Sequence, residues 1–136
     1  MQLAADANAL LAAVIGGRAR LVLTHPNIQK IFTTEATLSE VEEYGAHLAE
    51  KKNLRPDVLL LTIAALPVTV VDRAEYVKSL PEAGRRIGRR DPDDAELLAL
   101  ALHLGIPVWS NDHDFEDLGI EVFTTEKLLR HLHIIE

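Results

Sequence analysis

With 136 residues the chain has the size of one domain, spanning 1–136, and can bury roughly two-thirds of its unfolded surface in one core. Hydrophobic residues make up 48% and aromatics only 4%, so that core must be aliphatic. The absence of cysteine excludes disulfides and thiolate metal sites and fits a reducing cytoplasm. A net charge of −7 argues against a protein that coats nucleic acid by bulk attraction.

In chain order, residues 2–5 read as a short strand closed by Asp6-Ala7-Asn8, and Ala9 to Ile15 as a helix ended by Gly16-Gly17. The opening stretch is not a signal peptide, because it has no basic start and Asp6 interrupts its apolar run. A second strand is expected at Arg20 to Leu23, then a turn at His25-Pro26-Asn27. Ile28 to Thr33 fits a helical turn or a strand equally. Leu38, Val41, Tyr44 and Leu48 recur at helical spacing, which predicts a helix from about Leu38 to Lys51. Thr37-Leu38-Ser39-Glu40 has the form of a capping box and places Glu40 in the first turn.

Pro56 opens another helix running to about Ala65, and the β-branched Val68 to Val71 reads as a strand. The uncharged stretch Val58–Val71 is too short, and too broken by Pro67, to span a bilayer. Residues 73–80 and 82–90 read as helices separated by Pro81. A helix over 94–104, strands at 106–109 and 121–123, and a helix from about Glu126 to Leu132 complete the chain. Trp109 reads as core. Strands alternating with helices predict an α/β fold, a mostly parallel sheet covered on both faces.

The acids fall at informative places. Asp6 ends a strand, Asp94 starts a helix, and Asp112 follows the strand that ends at Trp109. In open α/β sheets the carboxyl ends of strands are where ligands bind. If Asp6, Glu40, Asp94 and Asp112 converge, they cannot all stay ionised without a cation. An all-oxygen donor set favours Mg²⁺ or Mn²⁺ over Zn²⁺. Such ions neutralise a scissile phosphate and lower the pKa of a water, while a carboxylate accepts that water's proton. The chemistry is phosphodiester hydrolysis.

Four motifs occur in order: Asp6-Ala7-Asn8 after a strand, Ser39-Glu40-Val41 on a helix, Asp94-Ala95 with Ala101 beyond it, and Ser110-Asn111-Asp112 followed by Asp114-Phe115. Together they resemble the PIN domain, the nuclease fold of VapC-type toxins and their relatives, over essentially the whole chain. The resemblance implies a three-layer α/β/α sandwich with an acidic pocket at the strands' carboxyl ends. It implies a Mg²⁺- or Mn²⁺-dependent ribonuclease, often a homodimer, with a small antitoxin as the partner of a toxin member. Carried onto this chain, it makes Asp6, Glu40, Asp94 and Asp112 the acidic quartet and Asp114 an auxiliary acid, with Asp94 preferred over Asp91 and Asp93 because Ala101 then falls at the family's small position on the same helix. Asn8 and Ser110 become neighbours that orient the carboxylates.

Other readings compete for these residues. Glu40 can be a cap and Asp94 a plain N-cap. Arg85, Arg86, Arg89 and Arg90 form one stripe if their segment is helical, which is either a solvated face or a rail for the RNA backbone. As alternatives to a nuclease, the fold could serve as a non-catalytic RNA-binding or dimerisation module. An aspartyl-phosphate enzyme with Asp6 as nucleophile is a weaker rival, since Asn8 stands where its pattern wants a second Asp.

Overall fold

A computed structural model describes all of residues 1–136. Five strands form the sheet: β1 (Gln2–Ala5), β2 (Lys30–Thr34), β3 (Thr69–Val71), β4 (Val108–Trp109) and β5 (Val122–Phe123). They are ordered β3-β2-β1-β4-β5, and every pair is parallel. Eight helices accompany them: α1 (Ala7–Ile15), α2 (Arg20–Leu23), α3 (Glu35–Lys51), α4 (Pro56–Ala64), α5 (Arg73–Tyr76), α6 (Leu80–Ile87), α7 (Pro92–Leu104) and α8 (Thr125–His131).

The central strands are buried on both faces because they are mostly apolar, and the buried Thr33 and Thr34 hydroxyls of β2 are hydrogen-bonded. In β1, Leu3 and Ala5 belong to one core and Ala4 to the other, the period-two alternation of an extended strand. β4 repeats this, with Trp109 in the first core and Val108 in the second. The first core joins the sheet to α1–α4 and α8, and the second joins it to α5–α7. The expected three-layer sandwich is therefore present, and Trp109, wholly buried, is core as expected. No helix is long and apolar enough to cross a membrane.

Several expected elements need correction. Arg20–Leu23 is helical rather than a strand. Its amides bond three residues back, to Gly17, Arg18 and Ala19, and Ala19 and Val22 are buried at helical rather than strand spacing. The Arg20 guanidinium also donates to the carbonyls of Ala13 and Val14, which α1 leaves open at its end. The ambiguous 28–33 region holds β2, which is paired on both sides.

α3 starts at Glu35, capped by Thr34, whose hydroxyl accepts from the Thr37 amide at 3.0 Å. The capping box at Thr37–Glu40 is therefore absent, and Glu40 lies beyond the first turn. α7 likewise starts at Pro92 with Asp91 as its N-cap, so Asp94 is inside the helix and caps nothing. The pair of helices expected at 73–80 and 82–90 is instead α5, a 3₁₀ turn at Val77–Ser79, and α6. Pro81 sits in the opening turn of α6, where a missing amide costs nothing. The helix stops at Ile87 because Gly88 takes φ +71°. Arg89 and Arg90 are outside it, and the four arginines do not form one helical stripe.

Candidate active site

Because all strands are parallel, their carboxyl ends share one edge. β1 and β4 are neighbours there, with Ala5 opposite Trp109. The chain leaves β1 outward toward β2 and β3, and leaves β4 the other way toward β5, so a crevice opens between them. Asp6 and Ser110 are the first residues past those two strands. The register alone sets them side by side.

Hydrogen bonds fix this half of the site. The Asp6 amide donates to the Trp109 carbonyl at 3.1 Å. Asp6 Oδ1 accepts from the Ala9 amide at 2.8 Å, which makes Asp6 the N-cap of α1, and Oδ2 accepts from the Ser110 hydroxyl. Ser110 Oγ in turn accepts from the Asp112 amide at 2.9 Å, and Asp112 Oδ1 accepts from the Asp114 amide at 3.0 Å. Asn111 turns the other way and pins the loop to the start of α8, accepting from the Thr125 amide and donating to its hydroxyl. Asp6 is 6% exposed and Ser110 is wholly buried.

Over this edge lies a pocket of roughly 480 Å³. Asp6, Glu40, Asp94, Asp112 and Asp114 all line it, so the expected quartet and the auxiliary acid reach a common cavity. Glu40 comes from α3 and Asp94 from α7, helices that meet above the sheet edge. Asn8 lines the same cavity but makes no hydrogen bond to a carboxylate; Ser110 alone does that.

The lining also includes Asp91, which the family pattern ranks behind Asp94, and Tyr44, which the sequence marks only as part of a helix's apolar spacing. Asp91 is a sixth acid in the lining, and Glu40, Asp91 and Asp93 carry the most compact set of ligand atoms, all within 4.8 Å of one another. Pro92 after Asp91 was the available signal, since Asp-Pro is a helix start. Tyr44, one turn beyond Glu40, also lines the pocket. The arginines are mostly engaged elsewhere. Arg85 and Arg86 both pair with Glu82, Arg86 also holds the Leu118 carbonyl, and Arg90 donates to the Asp114 carbonyl at the pocket rim.

The electrostatics follow from burial and crowding. Asp6 is pushed up to about 6, mainly by burial; the Ser110 and Ala9 hydrogen bonds oppose the rise and Asp112 adds to it. Burial raises Glu40 to about 7, with Asp91, Asp93 and Asp6 contributing. Asp94 also rises to about 7, from burial first and then from Asp91, Asp114 and Asp112. The Tyr44 phenol is pushed up chiefly by the Glu40 charge. No Lys, Arg or His lines the cavity, so no positive side chain there offsets these acids. A hard divalent cation fits such an all-oxygen set.

The chain matches the PIN domain over residues 5–133 and belongs to that family, whose members are generally nucleases. Among solved structures, PAE2754 from Pyrobaculum aerophilum is similar, with a TM-score of 0.66 and 18% identity over 99% of this chain and 97% of that one. FitAcB from Neisseria gonorrhoeae is similar with a TM-score of 0.62 and 19% identity, covering 93% of this chain and 99% of that one. VapBC-1 from nontypeable Haemophilus influenzae has a TM-score of 0.62 and 13% identity, covering 93% and 100%. At these identities the likeness is one of fold. No curated protein sequence matches significantly.

Proposed function

We propose that the chain is a single-domain, divalent-metal-dependent endoribonuclease, with Asp6, Glu40, Asp94 and Asp112 holding the metal and Asp114 assisting. The observation that carries this reading is the convergence of six carboxylates on one pocket with no basic side chain among them. Asp91 joins the ligand set on the strength of its grouping with Glu40 and Asp93.

A bound Mg²⁺ or Mn²⁺ supplies charge to neutralise the scissile phosphate and lowers the pKa of a water. The chain's own residues do the rest. Asp6, held at both oxygens, is a fixed ligand; the same two bonds and its burial make it a poor nucleophile for an aspartyl-phosphate. Ser110 orients both Asp6 and Asp112, as the outer partners of metal ligands do. Glu40 or Asp94, whichever carboxylate is left unneutralised, accepts the attacking water's proton.

Membership of the PIN family and the resemblance to VapC-type toxins support a cytoplasmic toxin with a small protein antitoxin, and the fold shared with FitAcB and VapBC-1 is consistent with it. A homodimer is supported by α4. It buries Leu59 and Ile63 but leaves Val58, Leu60 and Leu61 (69% exposed) in solvent, an apolar surface that a second subunit would cover.

The test is cleavage of a labelled mixed-sequence RNA with Mn²⁺ or Mg²⁺, against EDTA and against the Asp6→Asn, Asp112→Asn double variant. Metal-dependent cutting that falls at least 100-fold in the variant is expected. Cutting that survives EDTA or the double substitution would sink the assignment.

A further inference from the structure

No basic side chain lines the pocket, so beyond a cation's pull on the scissile phosphate the strand gains from an uncharged contact. The same cavity offers it. Leu11, Ala12 and Ile15 on α1 and Tyr44 on α3 line it beside the acids. Ile15 is 44% exposed and Tyr44 is 52% exposed, and Leu11 is half-buried. Tyr44 follows Glu40 by one helical turn, so its ring stands on the same face of α3 as that carboxylate.

Single exposed apolar side chains are ordinary and call for no explanation. These converge on one cavity, and that cavity continues into the acid cluster without a break. Its volume is within the range of small-ligand sites. Of the nearby cations, Arg85 and Arg86 are paired with Glu82 and Arg90 is tied to a carbonyl, which leaves Arg89 as the one without a partner, outside the pocket lining. An aromatic face against aliphatic side chains attracts the part of a nucleotide that is flat and uncharged, its base.

We propose that Tyr44, backed by Leu11 and Ile15, is a stacking subsite for one unpaired nucleobase of single-stranded RNA, next to the phosphodiester that is cut. The identity of the strand rests on the ribonuclease reading above. A base inside a duplex is already stacked on both faces, so the subsite selects loops and single strands over helices. It is tolerant of sequence, because every base has a π-face.

The test measures binding apart from cleavage. A fluorescent mixed-sequence single-stranded RNA is titrated with the full chain in Ca²⁺, using wild type, Tyr44→Phe and Tyr44→Ala, and again with a strand in which several bases are replaced by abasic sites. Stacking predicts that Tyr44→Phe binds like wild type and that Tyr44→Ala binds about tenfold more weakly. The abasic strand should bind weakly to all three proteins. In Mn²⁺ the same loss should fall on KM and leave kcat nearly unchanged. Matching melting curves exclude misfolding, as expected for a half-exposed position. No binding by wild type, or equal binding by Tyr44→Ala, overturns the subsite, and the apolar wall then belongs to a protein partner. Cleavage with an unchanged KM in Tyr44→Ala removes the subsite but leaves the nuclease. Tyr44-dependent binding without any metal-dependent cutting removes the nuclease but leaves the subsite.

Discussion

The two acidic walls of the pocket are built on different physics. The strand-end wall, Asp6 with Ser110 and Asp112, is held by a chain of hydrogen bonds that runs from the sheet register through buried Asp6 and Ser110 to the exposed Asp112. The helical wall, Glu40 with Asp91, Asp93 and Asp94, has no hydrogen bond linking one acid side chain to another, and its members raise one another's pKa. One wall is pre-organised before any cation arrives. The other is a set of like charges that packing holds together at a cost, and a cation removes that cost. Folding therefore positions half of the site, and metal binding would complete the other half.

The largest effect should come from loosening the pre-organised wall. Ser110→Ala deletes the donor to Asp6 Oδ2 and the acceptor of the Asp112 amide in one step. Asp6 then rises above its value of about 6, because the Ser110 bond was pulling it down. Mn²⁺ affinity at neutral pH should fall by roughly 10–100-fold, the usual loss for an outer-shell partner. Stability should fall by about 1–3 kcal/mol, since buried polar groups lose their partners. Calorimetric titration with Mn²⁺ and a urea melt check both, and an affinity within twofold of wild type would show that the wall does not depend on its serine.

The helical wall should respond with the opposite sign. Asp91 is the leading charge acting on both Glu40 and Asp94. Asp91→Asn keeps a good N-cap for α7, where the side chain accepts from the Asp93 amide at 3.0 Å, and removes only the charge. Combined with Glu40→Gln it should raise the Tm of the metal-free protein at pH 7.5, on the order of 2–4 °C, while weakening Mn²⁺ binding.

The pH dependence has a definite direction. Asp6, Glu40 and Asp94 keep protons in the folded state that the unfolded chain has already lost. Their contribution to stability is full below their ordinary values near 4 and is lost as pH rises to about 7. Melting in EDTA across that window should therefore show wild type losing Tm relative to the double variant. Added Mn²⁺ should reverse the loss increasingly toward pH 7, because its ligands bind deprotonated. A difference that grows in favour of wild type as pH rises would contradict the strained-wall picture.

The same division explains what could be read from the amino acids. Asp6 and Asp112 are legible as candidates because they lie just past apolar strands, and a parallel sheet carries every such residue to one edge; the role of Ser110 comes from the family resemblance alone. Glu40 is ambiguous in the sequence because Thr37–Glu40 has the form of a capping box, so a cap and a ligand role compete for one side chain. The choice was made by the pairing of β2 with β1 and β3, which extends the strand to Thr34 and starts α3 there. Long-range pairing of this kind leaves no local trace. Asp91 ranks behind Asp94 in the sequence, and Tyr44 reads only as helical spacing, for a related reason: their place in the pocket depends on α3 and α7 packing together. Arg20–Leu23 looked like a strand because its apolar residues carry no period in so short a run, and its helix is fixed by Arg20 reaching back to α1.

The smallest effects concern the arginines, and they test whether charge outside the two walls helps to hold RNA. Arg85 and Arg86 share Glu82, so each presents a partly neutralised group, and Arg86 also bridges α6 to the Leu118 carbonyl. Arg89 is exposed beyond the end of the helix and makes no hydrogen bond or ion pair, and Arg90 reaches the pocket rim through Asp114. If the segment contacts the RNA backbone, Arg89→Ala should reduce the slope of log K against log salt by about 0.7, one single-strand phosphate contact. Arg85→Ala should change it less, and Arg86→Ala should lower Tm more than it changes the slope. Binding of single-stranded RNA to the three variants at several salt concentrations, with a melt for each, would show the order. Equal slopes for all of them would leave RNA affinity to the apolar side of the pocket, where Tyr44 stands.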